Sequence, residues 1–530
     1  MAHQSDHLAN ANQTVTTNTY DWLQSRENEE RLSRSAQNSA AIRHTVERWT
    51  SFVRYGNELE NASRPANQAR YEIQYSVFEP LFGFTKWPEL PDRNEIKESF
   101  QQLVQDCTDA IANHDIELQL IKTGSSGSYF VYSVASPETP VGVFKPKDEE
   151  PYGPLSPKWS KWAHRTFFPC FFGRSCLIPN LGYVCESAAS VLDELLGTRL
   201  VPHTEIVSLR SKNFYDKKRA WFSTQPRVKT KTGSFQRFVE GYVGAGEFLD
   251  KHPFPGVYKD KDQPPQQQAS DQFHWNRQTL SAFRIEIEKL IVLDYILRNT
   301  DRGLDNWMIK VTQSPDNSWD VKLAAIDNAL TFPWKHPDEW RSFPYGWLYL
   351  PVNILAQPFS ESTRRHFLPL LTSTTWWEQC FTELSAQFGR DQEFKERMWK
   401  KQWCVLKGQA FSIVETLKTP TQGPLELVRR TRTMVIDDFM QVPSTTLPLN
   451  ILHHAMEEPL SLSASSPMVL SSVPEEHTAS TNPAVSATGK NNAVDVTEEL
   501  TSASKDCTYK KVVIERLMVV NSKPPVFTWW

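Results

Sequence analysis

No stretch of roughly 18 consecutive apolar residues occurs in the 530 residues of this chain, so nothing in it is long enough to cross a bilayer as a helix. The opening Met1-Ala2-His3-Gln4-Ser5-Asp6 lacks the apolar core of a secretory signal. Cysteine is sparse. Seven residues, an odd number with no metal-ligand spacing, argue against a disulfide framework and for a reducing, cytosol-facing location. Neither charge sign is in large excess, and a formal net charge of −4 excludes a nucleic-acid binder held by bulk electrostatics. Internal repeats are absent as well. With 39% hydrophobic residues, the chain can build a large core only if its polar ends lie outside it. Any membrane role must be peripheral.

Those ends are easily recognised. Residues 1–74 carry Asn, Gln, Ser, Arg and Glu with few aliphatics and are expected to be disordered. Residues 436–530 are expected to form a mostly disordered Ser/Thr-rich tail that closes on aromatic residues. Between them, residues 94–114 repeat Ile96, Phe100, Leu103, Val104, Cys107 and Ile111 at helical spacing. The polar stretch 257–271, with its Gln-Gln-Gln run, reads as an exposed insertion.

The chemistry concentrates in Arg298-Asn299-Thr300-Asp301-Arg302-Gly303-Leu304-Asp305-Asn306-Trp307 and in Ala325-Ile326-Asp327-Asn328. A helix over 279–297 precedes the first word, with Leu280, Phe283, Ile287, Leu290, Ile291 and Leu297 near helical spacing. Strands over 307–311 and 321–326 follow it. An Asp, an Asn five positions later and a second Asp at a strand end are what phosphoryl transfer requires. One carboxylate orients the attacking hydroxyl, and the amide and second carboxylate hold the cation that neutralises the phosphates. Upstream, 117–122 alternates as a strand, Gly124-Ser125-Ser126-Gly127-Ser128 turns, and 129–134 returns. That turn is either a plain hairpin or a loop whose glycines and hydroxyls cradle phosphate. Val141-Gly142-Val143-Phe144-Lys145 then puts Val141, Val143 and Lys145 on one strand face, where a kinase carries its phosphate-binding lysine. The order predicts an α+β chain with a two-lobed protein-kinase-like fold: a β-rich N-lobe over 75–239 and a mostly helical C-lobe over 240–435. The G-x-G-x-x-G, H-R-D and D-F-G signatures of protein kinases are missing.

Read in sequence, these words resemble the type II phosphatidylinositol 4-kinases. The resemblance rests on Gly124-Ser125-Ser126-Gly127-Ser128-Tyr129-Phe130-Val131, Val143-Phe144-Lys145-Pro146-Lys147, Glu149-Glu150-Pro151-Tyr152-Gly153 and Pro157-Lys158-Trp159. It continues through Phe172-Gly173-Arg174, Gly233-Ser234-Phe235-Gln236, Val239-Glu240-Gly241-Tyr242 and Leu293-Asp294-Tyr295-Ile296. Arg298-Asn299-Thr300-Asp301-Arg302-Gly303, Ala324-Ala325-Ile326-Asp327-Asn328, Lys335-His336-Pro337-Asp338 and the closing Phe527-Thr528-Trp529-Trp530 complete it. It covers about residues 75–430 plus that terminus.

What the resemblance implies is a lipid kinase that moves the γ-phosphate of ATP to the 4-hydroxyl of phosphatidylinositol at cytosol-facing membranes. ATP and Mg²⁺ (or Mn²⁺) are the implied cofactors, and phosphatidylinositol in an anionic lipid surface is the implied partner. Carried over by position, it assigns Ser126, Gly127, Ser128 and Lys145 to the ATP phosphates, and Gln236, Phe238 and Val239 to the hinge that reads adenine. Asp301 becomes the catalytic aspartate, and Asn306 and Asp327 the metal ligands. Arg302 and Asp305 are read as braces of the loop. The ion-pair partner of Lys145 stays open among Glu149, Glu150 and Glu186. The Golgi, endosomes or the plasma membrane are the implied locations.

Two departures bear on that reading. Where the family carries a palmitoylated Cys-Cys-Pro-Cys-Cys run, this chain has Phe167-Phe168-Pro169-Cys170-Phe171, followed by Phe172. One cysteine does not make the multiple acyl anchor, but phenylalanines flanked by Lys158, Lys161, Arg165 and Arg174 suit shallow insertion beside anionic headgroups. Phe167, Phe168, Cys170, Phe171 and Phe172 are therefore expected to contact membrane, as is Trp347 in Phe343-Pro344-Tyr345-Gly346-Trp347-Leu348-Tyr349. Core packing is the other reading of both sets. Ala329 stands where the family has glycine. If that position needs a positive φ, alanine strains it, which would favour a catalytically weak membrane scaffold. A protein Ser/Thr kinase is the third reading.

Overall fold

The computed structural model describes residues 73–78, 93–122, 127–150, 174–214, 228–256, 273–315, 318–339, 343–443 and 509–520. They divide between two compact units, one bounded by Val77–Ile436 and Leu517–Trp530, the other by Met1–Ser76 and Asp437–Arg516.

The larger unit carries the two lobes. Helix α1 (Arg93–Asn113) lies close to the predicted 94–114 and buries Phe100, Cys107 and Ala110. Phe100 and Cys107 join Leu118, Tyr129, Val131, Phe144, Leu209, Phe214 and Phe235 in the N-lobe core. The sheet beneath has strand order β2-β3-β4-β6-β5, formed by β2 (Gln119–Leu120), β3 (Tyr129–Val131), β4 (Gly142–Pro146), β5 (Thr204–Ser211) and β6 (Lys229–Arg237). All four pairings are antiparallel. Along β4, Gly142, Phe144 and Pro146 are buried, whereas Val143 and Lys145 show partly open side chains. The period-2 alternation read from the sequence thus sends Lys145 to the face opposite the core.

Helix α2 (Gly182–Leu196) is buried on every side but at Glu194. A helix apolar all round belongs in an interior, and α2 packs against β5, β6 and a C-lobe helix, α7 (Thr374–Phe388). It stops at Gly197, whose left-handed φ of 66° needs a residue without Cβ.

The C-lobe begins with β7 (Val243–Gly244) and α3 (Ala245–Lys251). It continues through α4 (Arg277–Leu297), the hairpin β8 (Trp307–Gln313) and β9 (Trp319–Ala325), α5 (Val352–Leu355), α6 (Glu361–Leu371), α7, α8 (Glu396–Leu417) and α9 (Pro424–Arg429). Helix α4 starts where Asn276 and Thr279 form a reciprocal capping box. It packs against β9 and α8. Buried Trp376, Trp377, Trp399 and Trp403 interlock across α7 and α8.

A three-stranded sheet has the order β1-β11-β10, with β1 (Ile73–Tyr75), β10 (Thr433–Pro443) and β11 (Tyr509–Val519). β1 runs parallel to β11, and Arg516 pairs with Asp438 at 2.9 Å. Within the stretch 436–530, expected to be mostly disordered, the structure describes two strand segments. Residues 437–443 and 509–519 are strands, because Val512, Val513 and Ile514 bury a continuous apolar run. The disorder expected over 1–74, apart from 73 and 74, falls outside the described residues.

A charged cluster joins α1, α2, β5 and α7. His203 hydrogen-bonds Glu194 at 2.6 Å and Glu205 at 3.3 Å, and Arg93 bridges Glu194 at 3.1 Å and Glu383 at 2.7 Å. Burial opposes the imidazolium, but hydrogen bonds to Glu194 and then Glu205 outweigh it and lift His203 to about 9. The folded value exceeds the ordinary 6.5, so the stability this group supplies is complete below pH 6.5 and fades as pH rises to 9. Melting wild type and His203→Gln from pH 6 to 9.5 should show a wild-type advantage on the order of 2 kcal/mol that vanishes at the alkaline end. A gap independent of pH would mean that the folded protein holds His203 neutral.

Candidate active site

Helix α4 ends at Leu297 because Arg298 takes a left-handed φ of 44°. Arg298 is buried, donates to Asp338 at 2.7 Å and to the Phe343 carbonyl at 3.0 Å, and lies over the Tyr345 ring. From this anchor the chain turns into the loop that carries Asp301. The Asp301 amide donates to Asn299 Oδ1 at 2.8 Å. Its carbonyl accepts from Asn306 Nδ2 at 2.7 Å and from the Gly303 amide at 2.9 Å. The carboxylate is half-exposed, and Arg174 donates to its Oδ1 at 2.6 Å.

Below the loop, Arg302 is wholly buried against wholly buried Asp294, at 2.9 Å and 3.0 Å. The same guanidinium donates to the carbonyls of Asn306 and Ile326 and to Asn328 Oδ1. Arg302 therefore has the bracing role expected of it, and what it braces is both stretches that carry the expected metal ligands.

Asp327 follows β9. Lys145 Nζ reaches it at 3.1 Å and reaches Glu186 of α2 at 2.5 Å. The open question of the lysine's partner is settled in favour of Glu186. Glu149 is instead committed to Lys231 at 2.6 Å and the Tyr129 hydroxyl at 2.8 Å. Glu150 accepts the first amides of α2, from Tyr183 at 2.7 Å and Gly182 at 3.2 Å. Burial opposes the charge on Lys145, but Asp327 and Glu186 outweigh it and hold the ammonium above its ordinary value. The ammonium in turn holds Asp327 below the usual carboxylate range. Glu186 also accepts the Asn328 amide at 3.1 Å.

The strain expected at Ala329 is corrected. Left-handed backbone in this turn falls on Asp327, at φ 55°, and Ala329 is not among the described residues with positive φ. A short polar side chain tolerates that region. Ala329 therefore carries no left-handed strain, and that ground for a weakened site falls away.

Ser126 lies outside the described residues. Gly127 is held from below, its amide donating to the Glu149 carbonyl at 3.1 Å. A Cβ there would stand 2.0 Å from Glu149 Oε2, a carboxylate that Lys231 and Tyr129 keep in place. Ser128 accepts the Ile121 amide at 2.8 Å, which closes the hairpin. Of the expected hinge, Gln236 is buried in β6 and donates to Thr204 Oγ1 at 3.0 Å. Phe238 spends its amide on the Val141 carbonyl at 2.9 Å, and Val239 follows half-buried. The Phe238 amide is thus not open to a purine in this arrangement.

Phe167, Phe168, Cys170, Phe171 and Phe172 lie outside the described residues. Trp347 is corrected. It is fully buried and stacks on Tyr345 with ring centroids 4.9 Å apart, so it offers no surface to a membrane. The exposed apolar side chains of that loop are Tyr349, 80% open, and Val352, 70% open.

The arrangement can hold a hard cation. Asn306 uses Nδ2 on the Asp301 carbonyl, and the Ile326 amide donates to the Asn306 carbonyl at 3.1 Å, tying the Asn306 and Asp327 stretches together. Among the described residues no group of three or more His, Cys, Asp or Glu could hold a metal. One carboxylate and one amide oxygen would leave most of a divalent cation's shell to other oxygen ligands.

Sequence reasoning missed Arg174, since nothing local ties it to a residue 127 positions away. It offered Glu149 only as a partner for Lys145, whereas folding places it under the loop at Gly127.

Residues 124–410 match the model of the family described as phosphatidylinositol 3- and 4-kinase. The chain is 48% identical to phosphatidylinositol 4-kinase LSB6 of Saccharomyces cerevisiae, across 100% of this chain and 99% of that one. It is 38% identical to phosphatidylinositol 4-kinase type 2-beta of Danio rerio, over 66% of this chain and 70% of the relative. With phosphatidylinositol 4-kinase type 2-alpha of Danio rerio the identity is 37%, over 64% and 78%. A crystal structure of the Golgi casein kinase with Mn/ADP bound aligns over 60% of this chain and 76% of its own at 14% identity, with a TM-score of 0.33, too loose to bear on function. With a family model matched over residues 124–410 and its relatives matched along most of their length, the chain belongs to the phosphatidylinositol 3- and 4-kinases, in the type II phosphatidylinositol 4-kinase branch.

Proposed function

We propose that this protein is a lipid kinase that transfers the γ-phosphate of ATP to the 4-hydroxyl of phosphatidylinositol. The observation that carries the reading is the Lys145, Glu186 and Asp327 cluster beside a loop that presents the Asp301 carboxylate. Phosphoryl transfer asks the protein for positioning and charge neutralisation more than for covalent chemistry. Lys145 is held charged and faces the phosphates. Gly127 lets the backbone approach them closely. Asn306 and Asp327 would hold Mg²⁺, which supplies charge neutralisation on the phosphate oxygens when bound. Asp301 Oδ2 accepts the hydrogen bond of the inositol hydroxyl and takes its proton as the inositol oxygen bonds to the γ-phosphorus and the bond from that phosphorus to the β,γ-bridging oxygen breaks, with ADP leaving. The test is turnover of radiolabelled ATP on phosphatidylinositol in detergent micelles, with the product's ring position determined. Label at the 4-position is expected. Label on a peptide panel only would sink the lipid assignment in favour of a protein kinase.

The substrate's bilayer requires a peripheral contact at a cytosol-facing membrane, and among the described residues no helix is long and apolar enough to cross one. Tyr349 and Val352 are the side chains whose exposure supports such a contact. Replacing both by serine should weaken binding to anionic phosphatidylinositol vesicles roughly tenfold, with micellar turnover and melting temperature unchanged. Unaltered sedimentation with vesicles would remove this lip from the contact.

A further inference from the structure

The Asp301 carboxylate must meet an incoming hydroxyl in one orientation, and a loop aspartate half open to solvent has no intrinsic reason to keep one. Its surroundings supply that reason. Asn299 takes the amide, and Asn306 and Gly303 take the carbonyl. These contacts come from the catalytic loop itself and fix only the backbone. The side chain is fixed from elsewhere in the chain. Arg174, whose carbonyl accepts the Leu177 amide at 3.0 Å, donates from one guanidinium nitrogen to Oδ1 at 2.6 Å. Among the described residues no other group hydrogen-bonds the carboxylate, so of its two oxygens Oδ2 is the one they leave for a substrate. Arg174 is itself less than a quarter exposed, which places the pair at the wall of the site rather than free in solvent.

We propose that Arg174 is the positioning residue of the catalytic aspartate: by engaging Oδ1 it turns Oδ2 toward the acceptor hydroxyl. The proposal rests on the lipid-kinase reading above. Charge-assisted hydrogen bonds are short and directional, and a guanidinium holds its donors in a rigid plane. A small misplacement of a reacting group costs up to about 100-fold in rate without touching distant binding. Arg174 acts through Asp301, so its loss should appear in the chemical step and not in ATP binding.

The full-length chain, assayed with phosphatidylinositol in detergent micelles, tests this. Arg174→Ala is expected to lower kcat about 10- to 100-fold, with the KM for ATP and the melting temperature unchanged. Added guanidinium ion should restore part of that loss, and Arg174→Lys should fall between, keeping the charge but not the planar fork. In an Asp301→Asn background the further effect of Arg174→Ala should shrink, because the two residues act as one unit. Wild-type kcat in Arg174→Ala would overturn the proposal. So would a loss shared equally by ATP affinity and kcat with no response to guanidinium, which would make Arg174 a structural prop. If the alanine variant melts early, Arg174→Gln, which keeps length and hydrogen bonding, carries the same comparison. Failure of wild type to phosphorylate phosphatidylinositol would defeat the kinase reading instead, and is read from the same assay before any variant.

Discussion

Asp301→Asn is expected to lower turnover on phosphatidylinositol about 1,000-fold while leaving ATP binding intact. A general base contributes roughly 10²- to 10⁴-fold, and an amide cannot take up the proton. The substitution is close to isosteric, and the contacts that fix the loop do not depend on the charge. Asn299 and Asn306 hold the backbone of residue 301, and an asparagine oxygen still accepts from Arg174. The side chain is half-exposed, so the melting temperature should scarcely move. On the proposed reading ATP is held by other groups, namely Lys145 and the Asn306 and Asp327 stretches, and its KM should stay at the wild-type value. Steady-state kinetics with both substrates varied decide the matter. Full activity would take the base role from Asp301, and a rise in the KM for ATP with unchanged kcat would make it a nucleotide ligand.

The residues that sequence places correctly are those whose roles follow from local spacing. Lys145 sits on an alternating strand, so the period of two decides which face it takes, and β4 follows that period. The helix over 277–297, the loop and the hairpin succeed one another with little intervening chain, so Asn306 and Asp327 come together through neighbouring backbone hydrogen bonds. Sequence runs out where contacts are distant. Three glutamates stood within reach of Lys145 on paper, and only folding brings α2 across so that Glu186, 41 positions away, takes the role. Glu149 lies nearer in sequence yet points the other way, under Gly127. Trp347 illustrates a different limit. A loop rich in aromatics and prolines has the composition of an interfacial lip whether its rings face out or stack inward, and here Tyr345 and Trp347 stack inward while Tyr349 stays open. At Ala329 the expectation located the unusual backbone two positions late, because family pattern marks a tight turn without saying which residue in it takes the positive φ.

Arg302→Met is expected to destabilise the larger unit by about 3–5 kcal/mol and to disable the site at the same time. The guanidinium and the Asp294 carboxylate are both fully buried. Removing one partner leaves an uncompensated charge in the interior, the costly way to break such a pair. Burial already pushes Asp294 upward, and Arg302 opposes that push, so its loss favours a protonated, poorly satisfied carboxyl. Three further acceptors lose their donor: the carbonyls of Asn306 and Ile326 and the Asn328 side chain. Methionine fills most of the volume, so the loss reports charge and hydrogen bonding rather than a cavity. Because those acceptors flank Asn306 and Asp327, the proposed metal ligands should lose their spacing, and the Mg²⁺ concentration for half-maximal activity should rise along with the fall in kcat. A melting temperature lower by roughly 6–15 °C is the stability readout. Pairing the change with Asp294→Leu should recover part of the melting temperature, since burying neither charge is cheaper than burying one. It should not recover activity, because the backbone acceptors beside both metal ligands remain without their donor. Unchanged melting in Arg302→Met would show that the pair stabilises nothing. Recovered activity in the double variant would show that the metal ligands keep their places without the guanidinium beneath them.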